Sequence, residues 1–419
     1  MNIATVPWRG DSARHLAGTA TLIAELEPRV RAFTHLDRNL LAHPPTGSSV
    51  PAGPLAGMPI AVKEIIDVAG MPTTCGSRVL AGRVPDRDAQ SVACLRAAGA
   101  LIVGMTTTTP FACGTTTVTD NPRVPSHTPG GSSAGSAAAV GAGYVPVALA
   151  SQSQASTLRP ASYCGAWGFK PSHRRLPRGG MHLLADVLDD VGLIAASIED
   201  LRSVFEVLAA PRADPVTAPA PLLRIGRLRL DDGGLPVPAT LAALDGLAAR
   251  LARGFQVVDG TPELSAMDAA LAGSGATCFD LFAGQSAPVL TSHIAAGERD
   301  PRLAEMVERA AVIGASGLAN ALGERDRLRE RWQGIAEHHD VIITLSTTNP
   351  APAGHQSTGC RRMPATSSLL GVPAVSAPWL TVAGLPQGVQ LLGFEGRDEE
   401  LLAAAAAIAA AVAPNEEEP

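Results

Sequence analysis

The sequence predicts an α/β fold with a large mixed, mostly parallel β-sheet flanked by helices, in a single domain that carries a helical insertion. Short apolar strands alternate with helices before residue 205, helical patterns dominate residues 236–340, and strands return from residue 341. Strand–helix–strand alternation is typical of a sheet with a parallel portion, because a parallel pair needs a crossover connection that is usually a helix. A chain of 419 residues without an internal repeat or a clear interdomain linker is compatible with this single large domain.

The first half of the chain predicts helices over residues 11–37 and 88–99, and strands over residues 58–62, 100–104 and 144–150. Before the last of these strands, the segment PGGSSAGSAAAVGAG (residues 129–143) predicts a glycine turn that leads into an Ala-rich helix. The polar run ASQSQASTLRP (residues 150–160) begins at the carboxyl end of a strand, the edge where α/β proteins place ligand sites. Three interpretations of this run are open: a polar loop, a buried hydrogen-bonded turn, or the site of a nucleophile.

In the second half, residues 210–235 are Pro-rich and predicted to be irregular. Strands are predicted within residues 340–347, 373–380 and 388–394. Asp398 is the predicted N-cap of a final helix. The longest apolar run, residues 401–413, belongs to this helix and is too short to span a membrane.

Composition and charge argue against several classes of function. A net charge of −6 argues against a nucleic-acid or anionic-membrane surface. Charged residues near the N-terminus argue against a secretory signal. The six cysteines and ten histidines are scattered without metal-ligand spacing. We therefore expect a cytoplasmic protein with reduced thiols and with no metal or other cofactor.

Lysine is scarce in this chain. Of the 33 basic residues, only Lys63 and Lys170 are lysines. An amine can lose its proton at an accessible cost, whereas a guanidinium cannot, so a lysine kept in an Arg-rich chain is a candidate base. Lys63 ends a predicted strand, where burial of the amine would lower its pKa.

The glycine and serine motifs restrict the possible chemistry. The glycine turn could cradle a phosphate through backbone N–H groups, but it lacks both GxxxxGK[ST] and GxGxxG. No serine lies in a GxSxG elbow, which argues against a Ser-His-Asp hydrolase. A serine nucleophile would need another base, and lysine is the remaining common one. From the residues alone, a structural role for each of these side chains stays open.

Three segments together resemble the amidase signature family. The segment GMPIAVKEIIDVAGMPTTCGS (residues 57–77) resembles its lysine motif, and the glycine turn with its helix resembles its glycine/serine motif. The segment SQSQASTLRPASYCGAWGFKPS (residues 151–172) resembles its nucleophile motif. The resemblance implies a signature core over residues 57–205, a variable helical substrate-side region over residues 210–340, and C-terminal strands with a helix over residues 341–411, all in one amidase domain.

The family uses a Ser-cisSer-Lys triad, and the three motifs carry one candidate for each role. The resemblance implies Ser156 as the nucleophile, Ser132 as the bridging serine after a cis peptide bond, and Lys63 as the base, spaced by 69 and 24 residues. It places Lys170 in a structural role. It also implies an oxyanion hole in the loop that precedes the nucleophile, and supporting residues around it. The oxyanion candidates are Ser153, Gln154 and Ala155, and the supporting candidates are Ser133, Gln152 and Arg159.

The implied activity is hydrolysis of a linear, small-molecule amide, and the implied assembly is a homodimer. Many relatives have glycines just before the nucleophile, where this chain has Gln154 and Ala155. A Cβ at these positions would restrict the backbone and narrow the oxyanion pocket. Three alternatives stay open: an acyl transferase of a biosynthetic pathway, the amidase subunit of an aminoacyl-tRNA amidotransferase, which these departures disfavour, and a catalytically impaired binding or scaffold protein, which they favour.

Overall fold

The computed structural model describes residues 3–210, 222–230 and 236–412, and its regular elements are built around one sheet. The strands in these ranges are β1 (Phe33–Leu36), β2 (Pro59–Lys63), β3 (Leu101–Thr106), β4 (Val147–Gln152), β5 (Trp167–Lys170), β6 (Asp190–Ala195), β7 (Arg224–Arg227), β8 (Gln256–Val258), β9 (Val341–Leu345), β10 (Ala374–Val382) and β11 (Leu385–Leu392). The helices are α1 (Ser12–Val30), α2 (Arg38–Ala42), α3 (Gln90–Ala97), α4 (Ala134–Gly141), α5 (Leu158–Tyr163), α6 (Ile198–Leu208), α7 (Pro238–Leu251), α8 (Pro262–Leu271), α9 (Ser274–Ala295), α10 (Pro301–Ile335), α11 (Arg362–Leu370) and α12 (Asp398–Val412).

The large mixed sheet flanked by helices is confirmed, but its parallel pairs are a minority. The strand order is β1-β3-β2-β4-β6-β5-β10-β11-β9-β7-β8. In the described ranges, β2 pairs parallel with β3 and β4, and β7 pairs parallel with β8 and β9, while the other six pairings are antiparallel. The sheet is therefore not mostly parallel. The strands at its centre pair antiparallel, and in one of these pairs, β10 and β11, the turn at residues 383–384 is too short for the crossover that a parallel pair needs.

The two faces of the sheet around β2 and β4 belong to different apolar clusters. Val62 and Leu149 pack in one cluster, whereas Ala61 and Ala148 pack in the other with α4. Alternate residues of a strand point to opposite faces, so the small side chains collect on the face that α4 covers. Every residue of α4 is buried, which an Ala- and Gly-rich helix allows because it can approach the sheet closely. This packing brings the glycine turn before α4 to the end of β2.

The predicted helical insertion also contributes strands to the sheet. Residues 236–340 are mainly helical as expected, but β8 lies among these helices, and β7 lies in the stretch predicted to be irregular. These strands have only three and four residues, too few for a periodic pattern to reveal them. Residues 211–221 and 231–235 of that Pro-rich stretch lie outside the described residues. The pairing of β7 with β9 joins the insertion to the C-terminal strands.

Several predicted element boundaries shift in the structure. The first helix ends at Val30, where Arg31 adopts a left-handed conformation, and β1 follows it. Strand β4 extends to Gln152, so the polar run begins inside the strand. Asp398 is the first residue of α12 and not its N-cap, and its Oδ1 accepts a 2.7 Å hydrogen bond from the backbone N–H of Ser172. Among the described helices, none is both long enough and apolar enough to cross a membrane.

Candidate active site

Lys63 ends β2 and is buried at the edge of the sheet next to the glycine turn. Its side chain is fully buried, and its Nζ lies 2.7 Å from Ser132 Oγ and 2.8 Å from Ser151 Oγ. Burial lowers the pKa of Lys63 to about 7, and the charge of Asp189 opposes this shift. A substantial fraction of Lys63 is therefore neutral near pH 7. A neutral amine at this position can accept a proton from either serine.

Ser132 lies in the glycine turn, directly before α4. The peptide bond between Gly131 and Ser132 is cis, as the family resemblance implies. Gly130 has a φ of +87°, and a Cβ there would lie 2.8 Å from Pro160 Cα, so a larger residue does not fit. The close approach of Gly130 to Pro160 holds the turn against α5.

Gln152 closes the loop between β4 and α5. Its Oε1 accepts hydrogen bonds from the backbone N–H groups of Thr157 and Leu158, at 3.0 and 3.1 Å. Its Nε2 donates to Ser368 Oγ at 3.1 Å and to Ser367 Oγ at 3.4 Å in α11. The amide thus fixes both ends of the loop that carries Ser156, consistent with the expected supporting role.

The loop at residues 153–156 presents free backbone donors. None of its four backbone N–H groups donates to an acceptor within the described residues. Ser368 Oγ donates to the Gln154 carbonyl at 3.2 Å and thereby orients the peptide that carries the Ala155 N–H. Free N–H groups in a fixed loop are what a developing oxyanion requires. Neither Gln154 nor Ala155 adopts a positive φ, so their backbone conformations do not require glycine.

Ser153 is held by a buried carboxylate that the sequence analysis did not single out. Its Oγ donates to Asp189 Oδ1, while Asp189 Oδ2 accepts from the backbone N–H groups of Leu184 and Ala185, at 2.6 and 2.9 Å. Burial raises the pKa of Asp189, and these hydrogen bonds oppose that shift. The only sequence signal for Asp189 is the segment LDDVG (residues 188–192), which also resembles a core segment of the amidase signature family.

Arg159 and Ser133 connect separate parts of the site. Arg159 donates to the carbonyl of Gly131 at 2.6 Å and to the carbonyl of Gly359 at 2.7 Å. Burial lowers the pKa of Arg159 to about 10, so the group stays charged at pH 7. Ser133 Oγ lies 3.3 Å from both the backbone nitrogen and the carbonyl oxygen of Ser151 and makes no capping bond to α4. Both side chains therefore hold backbone around the predicted triad.

Ser156 is half-buried and lines the same cavity as Ser132. Within the described residues, no hydrogen bond joins Ser156 Oγ to Ser132 Oγ, so the structure links Lys63 to Ser132 but not Ser132 to Ser156. In the sequence, Ser151 is one of three serines in the polar run of residues 150–160, and no local pattern singles it out. Its contact with Lys63 arises because β2 and β4 are parallel neighbours that end at one edge.

The cavity has a volume of about 350 Å³, which suits a small molecule. Besides the loop and the glycine turn, its walls include aromatic residues of α9, the first turns of α10, and residues 356–361. The walls from α9 and α10 belong to the variable region, whereas residues 356–361 belong to the C-terminal segment, and the sequence patterns predicted none of these contacts. The residues that these walls contribute include Phe279, Phe282, Arg302, Met306 and Arg361.

Lys170 lies apart from this constellation. It is fully buried, and its Nζ contacts Asp190 at 3.4 Å and the backbone carbonyl of Pro171. These contacts agree with the structural role implied for it. In the described part of the chain, no three His, Cys, Asp or Glu side chains cluster as metal ligands would.

The site is of the serine–lysine class. A lysine and a serine lie together at the edge of a large mixed sheet and face a small cavity. Residues 35–402 match the Amidase family model, so the chain belongs to the amidase family. The resemblance seen in the three motifs is thereby confirmed. Enzymes of this family act on carbon–nitrogen bonds.

The relatives and solved structures similar to this chain include amidotransferase subunits and a hydrolase. The chain is 32% identical over 440 residues to a glutamyl-tRNA(Gln) amidotransferase subunit from Thermus thermophilus, covering 91% of this chain and 90% of the relative. The structure of a 6-aminohexanoate cyclic dimer hydrolase in complex with substrate aligns with a TM-score of 0.82 and 26% identity, covering 96% of this chain and 94% of the other. The structure of a glutamyl-tRNA(Gln) amidotransferase subunit from Thermotoga maritima aligns with a TM-score of 0.75 and 25% identity, covering 94% and 90%.

Proposed function

We propose that the protein hydrolyses a linear carboxamide through an acyl-enzyme, with Ser156 as nucleophile, Ser132 as bridging serine and Lys63 as base. The observation that carries this proposal is the 2.7 Å contact between Lys63 Nζ and Ser132 Oγ. Because burial lowers the pKa of Lys63 to about 7, the amine can be neutral and accept a proton at ordinary pH. The family membership supports cleavage of a carbon–nitrogen bond.

In the acylation step, Ser156 Oγ attacks the amide carbonyl carbon and passes its proton to Ser132, which passes its own proton to Lys63. The carbonyl electron pair moves to the oxygen, which accepts hydrogen bonds from the free N–H groups of residues 153–156. When the carbon–nitrogen bond breaks, Ser132 returns a proton to the leaving amine, and Lys63 reprotonates Ser132.

In the deacylation step, water attacks the ester carbonyl and gives its proton to the same relay. The carboxylic acid leaves, and Ser156 regains its proton. Both steps need a hydrogen bond between Ser156 and Ser132, which forms when the substrate is bound. Catalytic hydrogen bonds are often longer in a free enzyme than in its complexes.

Labelling with a fluorophosphonate probe, located by peptide mass spectrometry, tests the triad. We expect an adduct on Ser156 that disappears in Ser156→Ala and falls at least ~100-fold in rate in Lys63→Ala. Ser203→Ala, which alters an exposed serine of α6, is the matched control and should label as the wild type does. A folded wild-type protein that takes no label would favour the impaired scaffold alternative, and an adduct on another serine would refute the assignment.

Acyl transfer to an amine is a second candidate, favoured by the 32% identity with a subunit of an amidotransferase. It would use the same acyl-enzyme, with an amine attacking in place of water. Hydroxylamine added to a small-amide assay separates the two. Hydroxamate that forms at the expense of carboxylic acid, at millimolar hydroxylamine, would support transfer, whereas carboxylic acid alone would support hydrolysis.

A further inference from the structure

A second cavity is separate from the one that Ser156 lines, and within the described residues the two share no lining residue. Its volume is about 360 Å³, which is in the range of small-molecule sites. Its walls come from the loop at residues 122–125, from Gly165 behind α5, and from the hairpin of β10 and β11. Arg123 contributes a guanidinium to these walls, and the apolar side chains include Pro122, Pro125, Pro378, Leu380 and Pro386.

The loop that carries Arg123 is held in a fixed shape by Asn121, which is fully buried. Asn121 Oδ1 accepts hydrogen bonds from the backbone N–H groups of Arg123 and Val124, at 2.9 and 3.2 Å. Its Nδ2 donates to the backbone carbonyls of Thr128 and Tyr163, at 3.2 and 3.0 Å. The backbone of Arg123 is therefore anchored to the end of α5, and this wall of the cavity is formed before a ligand binds.

The Arg123 guanidinium lies next to the turn that follows α5 and next to the β10–β11 hairpin. A Cβ on Gly165 would lie 3.5 Å from both Cζ and Nη1 of Arg123, and 3.6 Å from Pro386 Cβ. Gly165 has a φ of +64°, a conformation that favours glycine. The absence of a side chain at Gly165 thus leaves room for the guanidinium at the wall of the cavity.

Within the described part of the chain, no acidic side chain pairs with Arg123, and its guanidinium makes no hydrogen bond there. Asp120, on the same loop, instead pairs with Arg29 at 2.8 Å and with His355 at 3.0 Å. Burial raises the pKa of the nearby Cys164 thiol, which is therefore neutral at pH 7. Burial also lowers the pKa of Arg123, because its charge is partly removed from water without a carboxylate in exchange. An anion in the cavity would offset this cost.

The walls favour an organic acid over an inorganic anion. A guanidinium binds a planar carboxylate through two parallel hydrogen bonds, so one arginine is sufficient for one carboxylate. A phosphate has further oxygens to satisfy, and besides Arg123 the described wall side chains supply one donor, the hydroxyl of Thr381. The prolines and Leu380 offer a rigid apolar surface to the rest of a ligand.

We propose that this second cavity binds a small organic carboxylate with an apolar body, whose carboxylate pairs with Arg123 and whose body packs against the prolines and Leu380. The site lies outside the catalytic cavity, and the inference does not depend on the proposed hydrolysis. The loop that carries Arg123 leads into the glycine turn that carries Ser132, so the ligand would contact the segment next to the proposed triad.

Fluorine NMR titration of the full chain tests this site with two organic acids, para-fluorobenzoate and para-fluorophenylacetate. Each acid is compared with the neutral alcohol of the same carbon skeleton, and inorganic phosphate is added as a competitor. We expect at least one acid to bind ~10-fold or more tightly than its alcohol and more tightly than phosphate, because only the acid offers both a planar charge and an apolar body. Equal affinities of acid and alcohol, binding of neither acid at ~10 mM, or a preference for phosphate would overturn the proposal.

Three variants locate the bound acid. Arg123→Gln should weaken binding of the acid ~10-fold or more without changing binding of the alcohol, because it removes the charge alone. Thr381→Trp, at an exposed position of β10, narrows the cavity and should weaken binding of both ligands. Arg302→Gln, which removes a guanidinium from the cavity that Ser156 lines, is the matched control and should bind the acid as the wild type does.

Acid binding that is unchanged in Arg123→Gln, or that is lost in Arg302→Gln, would overturn the assignment of the ligand to the second cavity. Unchanged acid binding in Thr381→Trp would overturn it as well, and this measurement decides the question even if Arg123→Gln fails to fold.

Discussion

Lys63 Nζ lies 2.7 Å from Ser132 Oγ, although 69 residues separate them in the chain. The contact exists because β2 ends at Lys63 and α4 packs on the small-residue face of the sheet, which brings the turn before α4 to the end of the strand. The amine is buried among neutral hydroxyl groups, and this environment lowers its pKa. The pH dependence of both activity and stability should follow from this burial.

The pH dependence of activity should report the titration of Lys63. Because neutral Lys63 is the proposed base and its pKa is about 7, kcat/KM for an amide substrate should rise about tenfold per pH unit below pH 7 and level off above it. Initial rates between pH 5.5 and 9, at constant ionic strength, measure this. A rate independent of pH from 5.5 to 8 would contradict Lys63 as the base.

Stability should also depend on the protonation of Lys63. The folded pKa of about 7 lies below the ordinary value of 10.5, so between these pH values the unfolded chain binds more protons at this side chain than the folded protein. The free energy of unfolding of the wild type should therefore rise with pH relative to Lys63→Met, by up to ~1.4 kcal/mol per unit. Urea unfolding of both proteins at pH 7 and pH 9 measures the difference. Parallel pH dependences would show that the amine is not buried neutral.

Ser151 should tune Lys63 without transferring protons in the reaction. Its hydroxyl accepts a 2.8 Å hydrogen bond from Lys63 Nζ, and such a bond favours the charged amine. Ser151→Ala should therefore lower the pKa of Lys63, shift the acid limb of the kcat/KM profile to lower pH, and reduce kcat by only ~10-fold. Ser132→Ala is the comparison, and it should abolish measurable turnover. A Ser151→Ala profile that moves to higher pH would contradict this role.

Arg159 should position the site through its two carbonyl contacts. A lysine cannot reach the carbonyls of both Gly131 and Gly359, so Arg159→Lys should lower kcat by ~100-fold and the free energy of unfolding by about 3 kcal/mol. The matched control is Arg175→Lys, because Arg175 also makes two hydrogen bonds, to Ala210 and Glu399, at another place in the fold. Steady-state kinetics and urea unfolding distinguish the two variants. The control should lose stability but keep its kcat.

The Gln154 side chain should restrict the size of the substrates that bind without lowering the rate of amide cleavage. Its backbone does not need glycine, and its side chain lines the cavity. Gln154→Gly should therefore change kcat for a small primary amide by less than ~10-fold, and lower KM for a bulky anilide by a larger factor, because the cavity widens. Kinetics with both amides measure this. A gain of more than ~100-fold in kcat on every amide would show instead that the glutamine suppresses catalysis.

Much of the fold and site follows from local sequence patterns. The apolar strand that ends at Lys63, the glycine turn before an Ala-rich helix, and the polar run after β4 each lie within about 20 residues, where periodicity and turn residues are informative. Strands of three or four residues, such as β7 and β8, carry too little pattern to be recognised. The sequence patterns also failed to predict whether neighbouring strands pair parallel or antiparallel, because this depends on which distant strands become neighbours.

The sequence by itself determined the class of fold, the family, and the order of Lys63, Ser132 and Ser156 as candidate catalytic residues. Only the tertiary structure decided that Ser151 is a second partner of Lys63. It also decided that the Arg159 guanidinium donates a hydrogen bond to Gly359, which lies 200 residues further along the chain. It alone brought Arg302 and Arg361 to one cavity wall without an acidic partner among the described residues. The physical reason is that composition and periodicity report the local conformation of the backbone. Charge, burial and pKa depend on side chains that approach through space from distant segments.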